Sequence, residues 1–272
     1  MYWRKNYKLL FIQLWVEQDW QIVVAFKRTI FIMAKIAERI KRVNDTICAS
    51  CQKANRNPAE VKLVVVTKSA SEEQIGEVLR FGITDLGENR VQQLRKVAAQ
   101  MSEFLGRGER GFPSPEKVNW HMIGHLQRNK VSQALPIVSL IHSVDTLRLA
   151  EEINAAASKM GICPRVLLQV NTSEEPQKYG VPVGAAMHLA EQIETLPNVK
   201  LAGLMTMAPL TRDKNLIRAC FVRARETAVE MKGERIVGPA FTELSMGMSS
   251  DYDIAIEEGA TIVRIGSAIF AN

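Results

Sequence analysis

The sequence predicts an α/β protein built as a single (β/α)8 barrel. Short apolar segments alternate with amphipathic segments of helical spacing, a pattern typical of parallel sheets. Eight strands within roughly 210 residues favour a closed barrel over an open doubly wound sheet, which is the alternative. No GxGxxG turn follows the first strand, which argues against a dinucleotide-binding fold. The predicted strands are 62–67, 85–87, 120–124, 140–143, 165–171, 201–206, 243–246 and 261–265.

The segments between these strands have the spacing of amphipathic helices. A further helix at 34–54 precedes the first strand, with Ile36, Ile40, Val43 and Ile47 at helical intervals. Only seven residues follow the eighth strand, so a full helix is not expected there. We expect the N-terminal helix to complete the outer ring in its place. The other predicted helices are 72–81, 90–105, 127–134, 146–159, 183–195, 216–231 and 251–258.

Residues 1–32 differ from the rest of the chain. They hold three of the four tryptophans, and charges interrupt their short apolar runs. A membrane-spanning helix needs about 20 predominantly apolar residues, and a signal peptide needs a cleaner apolar stretch and a small-residue cleavage site. We therefore expect an extension outside the fold, with 33–272 forming the barrel domain. An amphipathic helix on a membrane surface is the alternative.

Charge and cysteine content exclude several function classes. The net charge is +6, but residues 1–32 hold five basic and two acidic residues and supply +3 of it. No basic stripe interleaved with aromatic residues follows, so we expect no nucleic-acid partner. Cys48 and Cys51 form a CxxC without a second pair at metal spacing, which favours reduced thiols in a cytoplasmic protein. His121 and His125 lie on a strand and turn, so we expect no metal there.

Polar residues collect where the predicted strands end, which is where barrels of this class handle ligands. Lys68 ends the first strand, and an amine desolvated at an apolar mouth is suited to attack an aldehyde. Gly247 follows strand seven, and Gly266 follows strand eight; backbone N–H groups exposed there bind phosphate well. These features together predict a phosphorylated aldehyde, either pyridoxal phosphate or the sugar-phosphate substrate of a Schiff-base aldolase.

Seven motifs occur in one order along the chain. They are VVTKS (65–69), GENRVQ (87–92), WHMIGHLQRNK (120–130), QVN (169–171), GLMTM (203–207), LSMGMS (244–249) and VRIG (263–266). In these motifs the chain resembles the pyridoxal phosphate homeostasis protein family. The resemblance runs from about residue 33 to residue 270 and implies a single barrel of the alanine racemase N-terminal type.

The resemblance also implies roles for individual residues. Lys68 is expected to form the internal aldimine with pyridoxal phosphate, and Arg264 to face the pyridine nitrogen. The phosphate is expected to be held by Ser245, Gly266 and Ser267. Threonine is usual in the family at position 267, and Ser267 keeps its hydroxyl. Four more residues are expected to line the same mouth: Asn89, His121, Asn171 and Met205.

Two features favour a carrier over an enzyme. The permanent charge of Arg264 disfavours protonation of the pyridine nitrogen, which makes the cofactor a poor electron sink. Racemases of the same fold tolerate an arginine there, so this feature does not exclude catalysis by itself. Alanine-racemase-like enzymes also carry a second domain with a tyrosine base, and none of the four tyrosines has an obvious equivalent position. The family resemblance implies a protein that buffers pyridoxal phosphate and supplies it to apo-enzymes.

Partners and alternatives follow from the same reasoning. We expect a monomer, since the second domain supplies the dimer contact in the racemases, and no membrane partner. A racemase-like enzyme is the main alternative to the carrier. A nucleic-acid or membrane module built on residues 1–32 is the third hypothesis.

Overall fold

The computed structural model describes residues 20–108, 111–175 and 177–271, with side chains from Lys35 onward except that of Pro115. Eight parallel strands form the centre of the fold. Each lies within two residues of its predicted bounds, so the strand prediction is confirmed. The strands are β1 (Lys62–Val66), β2 (Asp85–Glu88), β3 (Asn119–Met122), β4 (Val138–Val144), β5 (Arg165–Asn171), β6 (Lys200–Met205), β7 (Glu243–Ser245) and β8 (Ile262–Ile265).

The sheet closes on itself. Each strand pairs with its neighbours in chain order, β4 pairs with β5, and β8 returns to pair with β1. All of these pairings are parallel, for example Val65 opposite Ile265 between β1 and β8. A two-residue strand, Val181–Pro182, pairs with the end of β5. The predicted (β/α)8 barrel is therefore confirmed, and the carboxyl ends of all eight strands meet at one opening, which we call the mouth.

Helices surround the barrel and follow the predicted pattern. The predicted helix 127–134 is split into a 3₁₀ turn, Arg128–Lys130, and a short α-helix. A single four-residue turn lies at the C-terminal end, where no full helix was expected. The helices are α1 (Trp20–Lys53), α2 (Glu72–Arg80), α3 (Val91–Gly106), α4 (Val131–Ala134), α5 (Leu147–Met160), α6 (Val183–Glu194), α7 (Lys214–Gly233), α8 (Tyr252–Glu257) and α9 (Ser267–Phe270).

Local signals explain several of these helix ends. Ser71 begins α2 with a capping box: its hydroxyl accepts from the N–H of Gln74, whose side chain accepts from the N–H of Ser71. Asp213 caps α7 through its side chain. Gly161 ends α5 in the left-handed conformation, with φ of +65°. These helices therefore begin or end at residues whose side chain or backbone conformation accounts for the boundary.

Helix α1 completes the outer ring, as predicted. Its buried side chains are those at helical spacing in the sequence, including Ile36 and Ile40, and it packs against α2, α8 and α9. The guanidinium of Arg39 donates to the carbonyl of Ile269 at 3.1 Å. The helix begins at Trp20 rather than residue 34, so the predicted start was wrong. Residues 1–19 lie outside the described residues, and the domain boundary at residue 32 stays a prediction.

Two apolar clusters stabilise the fold. The larger lies between the barrel wall and the helices, and a smaller one fills the barrel interior. The interior cluster comprises Val64, Leu140, Leu167, Ala202, Met205 and Ile262. Among the described residues, no helix is long and apolar enough to cross a membrane, and no group of His, Cys, Asp and Glu side chains is placed to hold a metal.

Candidate functional site

Lys68 lies directly after β1 at the mouth, where the sequence predicted it. Its side chain is exposed, so the expectation of a desolvated amine was wrong for this structure. The preceding residue, Thr67, is buried and donates its hydroxyl to Glu88 Oε1 at 2.5 Å. Burial raises the pKa of Glu88 above its ordinary value, although its hydrogen bonds and the charge of Lys68 oppose the shift. The exposed amine therefore follows a residue, Thr67, that hydrogen bonds hold in place.

The loops after β7 and β8 meet beside the end of β1. Gly247 has φ of +91°, a conformation that favours glycine. The hydroxyl of Ser249 accepts from the N–H of Ala268 at 3.2 Å, which joins the two loops. A Cβ on Gly266 would lie 3.1 Å from Val66 Cβ, so the glycine keeps a small space open next to β1. The hydroxyl of Ser249 only accepts in this contact, so its proton is left to donate to an anion at the turn formed by Ser249, Gly266 and Ser267.

Ser245 and Arg264 lie below this turn and are buried. The guanidinium donates from Nη1 to Ser245 Oγ at 2.6 Å and from Nη2 to the carbonyl of Thr206 at 2.9 Å. Burial lowers the pKa of Arg264 to about 10, and the negative charge of Asp251 opposes the shift. Arg264 therefore stays charged at neutral pH. Ser245 does not belong to the turn formed by Gly266 and Ser267, and its role with phosphate stays a prediction.

His121 lies inside the barrel rather than at the mouth. Its Nε2 is 2.9 Å from Asp85 Oδ1, and its Nδ1 is 2.9 Å from Nε2 of His142. Both ring nitrogens are therefore engaged by the protein, and the expectation that this ring lines the mouth was wrong. His142, which the sequence suggested as a hydrogen-bonded core residue, is fully buried and bonded on both sides.

The other three predicted mouth residues differ in their surroundings. Asn89 is exposed after β2. Asn171, at the end of β5, donates to the carbonyl of Glu175 at 2.9 Å and so supports its own loop. Met205 is buried within the interior cluster below the mouth. Of these three residues, Asn89 is the one with an exposed side chain that can turn towards a ligand.

Comparison with known proteins identifies the family. A family model described as "Alanine racemase, N-terminal domain" matches residues 45–272. The pyridoxal phosphate homeostasis protein of Aquifex aeolicus is 40% identical over 235 residues, which cover 86% of this chain and 97% of that protein. This chain belongs to the pyridoxal phosphate homeostasis protein family.

Solved structures agree with the membership of this family. A structure described as that of "an unknown protein from Bifidobacterium adolescentis" is 35% identical, with a TM-score of 0.82, over 88% of this chain and 96% of that chain. PipY from Synechococcus elongatus, solved with pyridoxal phosphate bound, is 32% identical, with a TM-score of 0.73, over 87% of this chain and 100% of PipY. The family fold is therefore matched over nearly the full length of these proteins.

Sequence reasoning missed several residues of this family member's mouth. Ser249 lies in the LSMGMS motif (244–249), which the sequence placed at the expected phosphate site, but it was not among the residues predicted to bind the cofactor. The ring of His125 stacks on that of Tyr179, with centroids 4.6 Å apart and planes at 19°, which joins the loops after β3 and β5. Nothing in the sequence pairs these two residues, because they are far apart in the chain.

Proposed function

We propose that this protein binds pyridoxal phosphate at the mouth, with Lys68 as the covalent attachment residue, and serves in homeostasis of the cofactor. One observation carries the proposal: Lys68 follows β1, and β1 pairs with β8, whose loop forms the anion-suited turn. An amine and an anion site are thus adjacent. The related PipY, with pyridoxal phosphate bound, supports the same ligand class.

The residues present fit the parts of this cofactor. The Lys68 amine suits its aldehyde, and the turn of Ser249, Gly266 and Ser267 suits its phosphate. The space that a Cβ on Gly266 would fill is consistent with a ligand approaching the backbone closely. Arg264 is assigned to the pyridine nitrogen, which its charge keeps unprotonated. When bound, pyridoxal phosphate supplies a reactive aldehyde and an aromatic ring that withdraws electrons.

A carrier is favoured over a racemase-like enzyme. Arg264 is buried and charged, so it disfavours protonation of the pyridine ring and weakens the ring as an electron sink, although racemases of the same fold tolerate an arginine there. Tyr179, at the mouth, is engaged in the stack with His125. The matched relatives carry the name of homeostasis proteins. We infer that the protein acts as a monomer and passes the cofactor to pyridoxal phosphate-dependent apo-enzymes.

Borohydride reduction followed by mass spectrometry tests the attachment residue. The purified protein, incubated with pyridoxal phosphate, is expected to gain one reduced adduct on Lys68. Lys68→Ala should lose it, and Lys62→Ala is the matched control because Lys62 lies at the opposite end of the same strand. An adduct on another lysine, or none, would refute the proposed site. An adduct formed only with a sugar phosphate would favour the aldolase.

Two assays separate the carrier from the racemase. The loaded protein is expected to reactivate an apo-enzyme faster than free pyridoxal phosphate does. The free cofactor is supplied at the concentration that would be in equilibrium with the loaded protein. It is expected to leave the optical rotation of L-amino acids unchanged. Racemisation above a Lys68→Ala control would overturn the carrier assignment. If the loaded protein sedimented as a dimer in analytical ultracentrifugation, the proposal that it acts as a monomer would be refuted.

The N-terminal segment is proposed to have no part in binding the cofactor. The described side chains of α1 start at Lys35, and the buried ones among them, such as Ile36 and Ile40, lie after the proposed boundary at residue 32. Deleting residues 1–32 is expected to leave both the melting temperature and the affinity for pyridoxal phosphate unchanged. Binding of the full chain, but not of the shortened one, to anionic vesicles or DNA would favour the module hypothesis.

A further inference from the structure

A chain of hydrogen bonds crosses the barrel interior from the amino end of β2 to the end of β8. His121 lies 2.9 Å from Asp85 Oδ1, and the two imidazoles are 2.9 Å apart between His121 Nδ1 and His142 Nε2. His142 Nδ1 is 2.9 Å from Ser245 Oγ. The same oxygen accepts a hydrogen bond from Arg264 Nη1 at 2.6 Å. We call the five residues Asp85, His121, His142, Ser245 and Arg264 the relay.

The two ends of the relay have fixed roles. The ionised carboxylate of Asp85 can only accept, so the Nε2 of His121 must carry a proton and donate it. A guanidinium can only donate, so Ser245 Oγ accepts from Arg264. Two contacts lie between these ends, one joining the two imidazoles and one joining His142 to Ser245. Each is a hydrogen bond that needs one proton, carried by one of its two partners.

Neutral imidazoles satisfy every contact in one way. The single ring proton of a neutral His121 is on Nε2 and is donated to Asp85 Oδ1. Its Nδ1 therefore accepts from the Nε2–H of His142. The Nδ1 of His142 then accepts, and the hydroxyl proton of Ser245 is donated to it. All protons in the relay therefore point from Arg264 towards Asp85, and both imidazoles are Nε2–H tautomers.

The alternative arrangement is less favourable on two counts. A doubly protonated His121 would reverse both central bonds and leave the Ser245 proton without an acceptor among the contacts of that hydroxyl. It would also add a positive charge to a buried network that already holds the Arg264 guanidinium, although the Asp85 carboxylate lies against the His121 ring. Burial lowers the pKa of His142 well below its ordinary value, and the positive charges of Arg264, Lys62 and Arg165 lower it further.

We propose that Asp85, His121 and His142 are positioning residues, which orient the Ser245 hydroxyl away from the mouth and hold the Arg264 guanidinium beneath the cofactor. The assignment of the cofactor rests on the proposed function, but the direction of the relay does not. Because Ser245 gives its only proton to His142, it has none to donate to a phosphate. The phosphate is left to the turn at Gly266, and the relay sets the surroundings of the ring.

Nitrogen-15 NMR of the ligand-free protein tests the direction. Long-range proton–nitrogen correlations distinguish the two neutral tautomers and the imidazolium. Both His121 and His142 are expected as Nε2–H tautomers at pH 7. An Nδ1–H tautomer at His142, or an imidazolium at His121, would overturn the relay as assigned.

Substitution at Asp85 tests the positioning role from a distance. Asp85→Leu removes the acceptor, so His142 is expected to become a mixture of tautomers, and pyridoxal phosphate should dissociate roughly two- to tenfold faster. Asp85→Asn keeps an acceptor oxygen and should largely restore both. His188→Gln, at an exposed imidazole, is the control. An unchanged His142 tautomer and dissociation rate in Asp85→Leu would refute the positioning role.

The two levels of the proposal fail separately. If wild-type protein bound no pyridoxal phosphate, the proposed function would fall while the tautomers of the ligand-free protein still reported on the relay. If Asp85→Leu proved unfolded, the wild-type tautomers and the Asp85→Asn variant would decide. A shift of the visible absorption of bound cofactor in Asp85→Leu, reversed in Asp85→Asn, is expected and would not follow from a general loss of stability.

Discussion

The hydroxyl of Ser249 and the backbone N–H of Ala268 are joined by a hydrogen bond of 3.2 Å. This contact connects the loop after β7 to the start of α9. It brings a side-chain hydroxyl to the same turn as Gly266 and Ser267, beside the end of β1. The turn is consequently assembled from two separate parts of the chain.

Replacing Ser249 with alanine should weaken phosphate binding selectively. A hydrogen bond to a charged group contributes about 1.5–3 kcal/mol, so the affinity for pyridoxal phosphate should fall about tenfold or more. The affinity for pyridoxal, which lacks the phosphate, should hardly change. Fluorescence titration with both ligands measures the difference. Ser250→Ala, at the exposed next residue, is the control, and equal losses for both ligands would contradict the role.

Gly247→Ala should destabilise the fold. The position has φ of +91°, and an added Cβ would lie 2.6 Å from Ala255 Cβ and 2.9 Å from Tyr252 Cα. Strain and crowding together should lower the free energy of unfolding by about 1–3 kcal/mol. Urea unfolding measures it. Gly184→Ala is the matched control, since nothing lies within 4 Å of its added Cβ, and a loss of similar size there would argue against the local cause.

Glu88→Gln should change how stability depends on pH. Burial raises the pKa of Glu88 in the folded protein above the ordinary value of 4.5. Its contribution to stability is therefore fully present below pH 4.5 and is lost as the pH rises through the folded value. The amide has no such loss, and it keeps an acceptor for Thr67. The stability of the variant relative to wild type should rise with pH.

Urea unfolding at several pH values between 4 and about 8 measures this difference. Glu103→Gln removes an exposed carboxyl and serves as the control. A difference between wild type and Glu88→Gln that stayed constant across the range would show that Glu88 keeps an ordinary pKa.

The strands were predictable because parallel strands are buried on both faces and read as apolar runs. Strand β5 illustrates this, since its observed bounds, Arg165–Asn171, match the prediction at both ends. The start of α1 was not predictable in the same way. Apolar spacing at Ile36 and Ile40 predicted a helix only from residue 34 onward, whereas the observed helix continues back to Trp20.

The candidate site was predictable in outline only. The rule that ligands bind at strand ends places Lys68 and Gly266 at the mouth without any knowledge of contacts. Side-chain partners were not accessible, because His121 reaches Asp85 and His142 across neighbouring strands. Asn171 likewise turns towards its own loop. Strand position indicates the barrel end, whereas the local hydrogen-bond partners decide where a side chain points.

Mild acid should destabilise the protein through His142. The pKa of this imidazole is lowered well below 6.5, chiefly by burial, and it faces the positive charges of Arg264, Lys62 and Arg165. A group with a depressed folded pKa takes up its proton first in the unfolded state. Its contribution is therefore complete above pH 6.5 and is lost as the pH falls below that value, by up to about 1.4 kcal/mol for each pH unit.

Chemical-shift titration of the histidine rings isolates this contribution from those of Glu88 and Asp251, whose raised pKa values act with the opposite sign. His142 should keep the shifts of a neutral ring well below pH 6.5, while urea unfolding reports a falling free energy over the same range. The exposed ring of His188 provides a solvent-accessible comparison in the same spectra. A His142 signal that moved together with that of His188 would mean that the ring takes up its proton within the folded barrel, and acid would then cost no stability at this position.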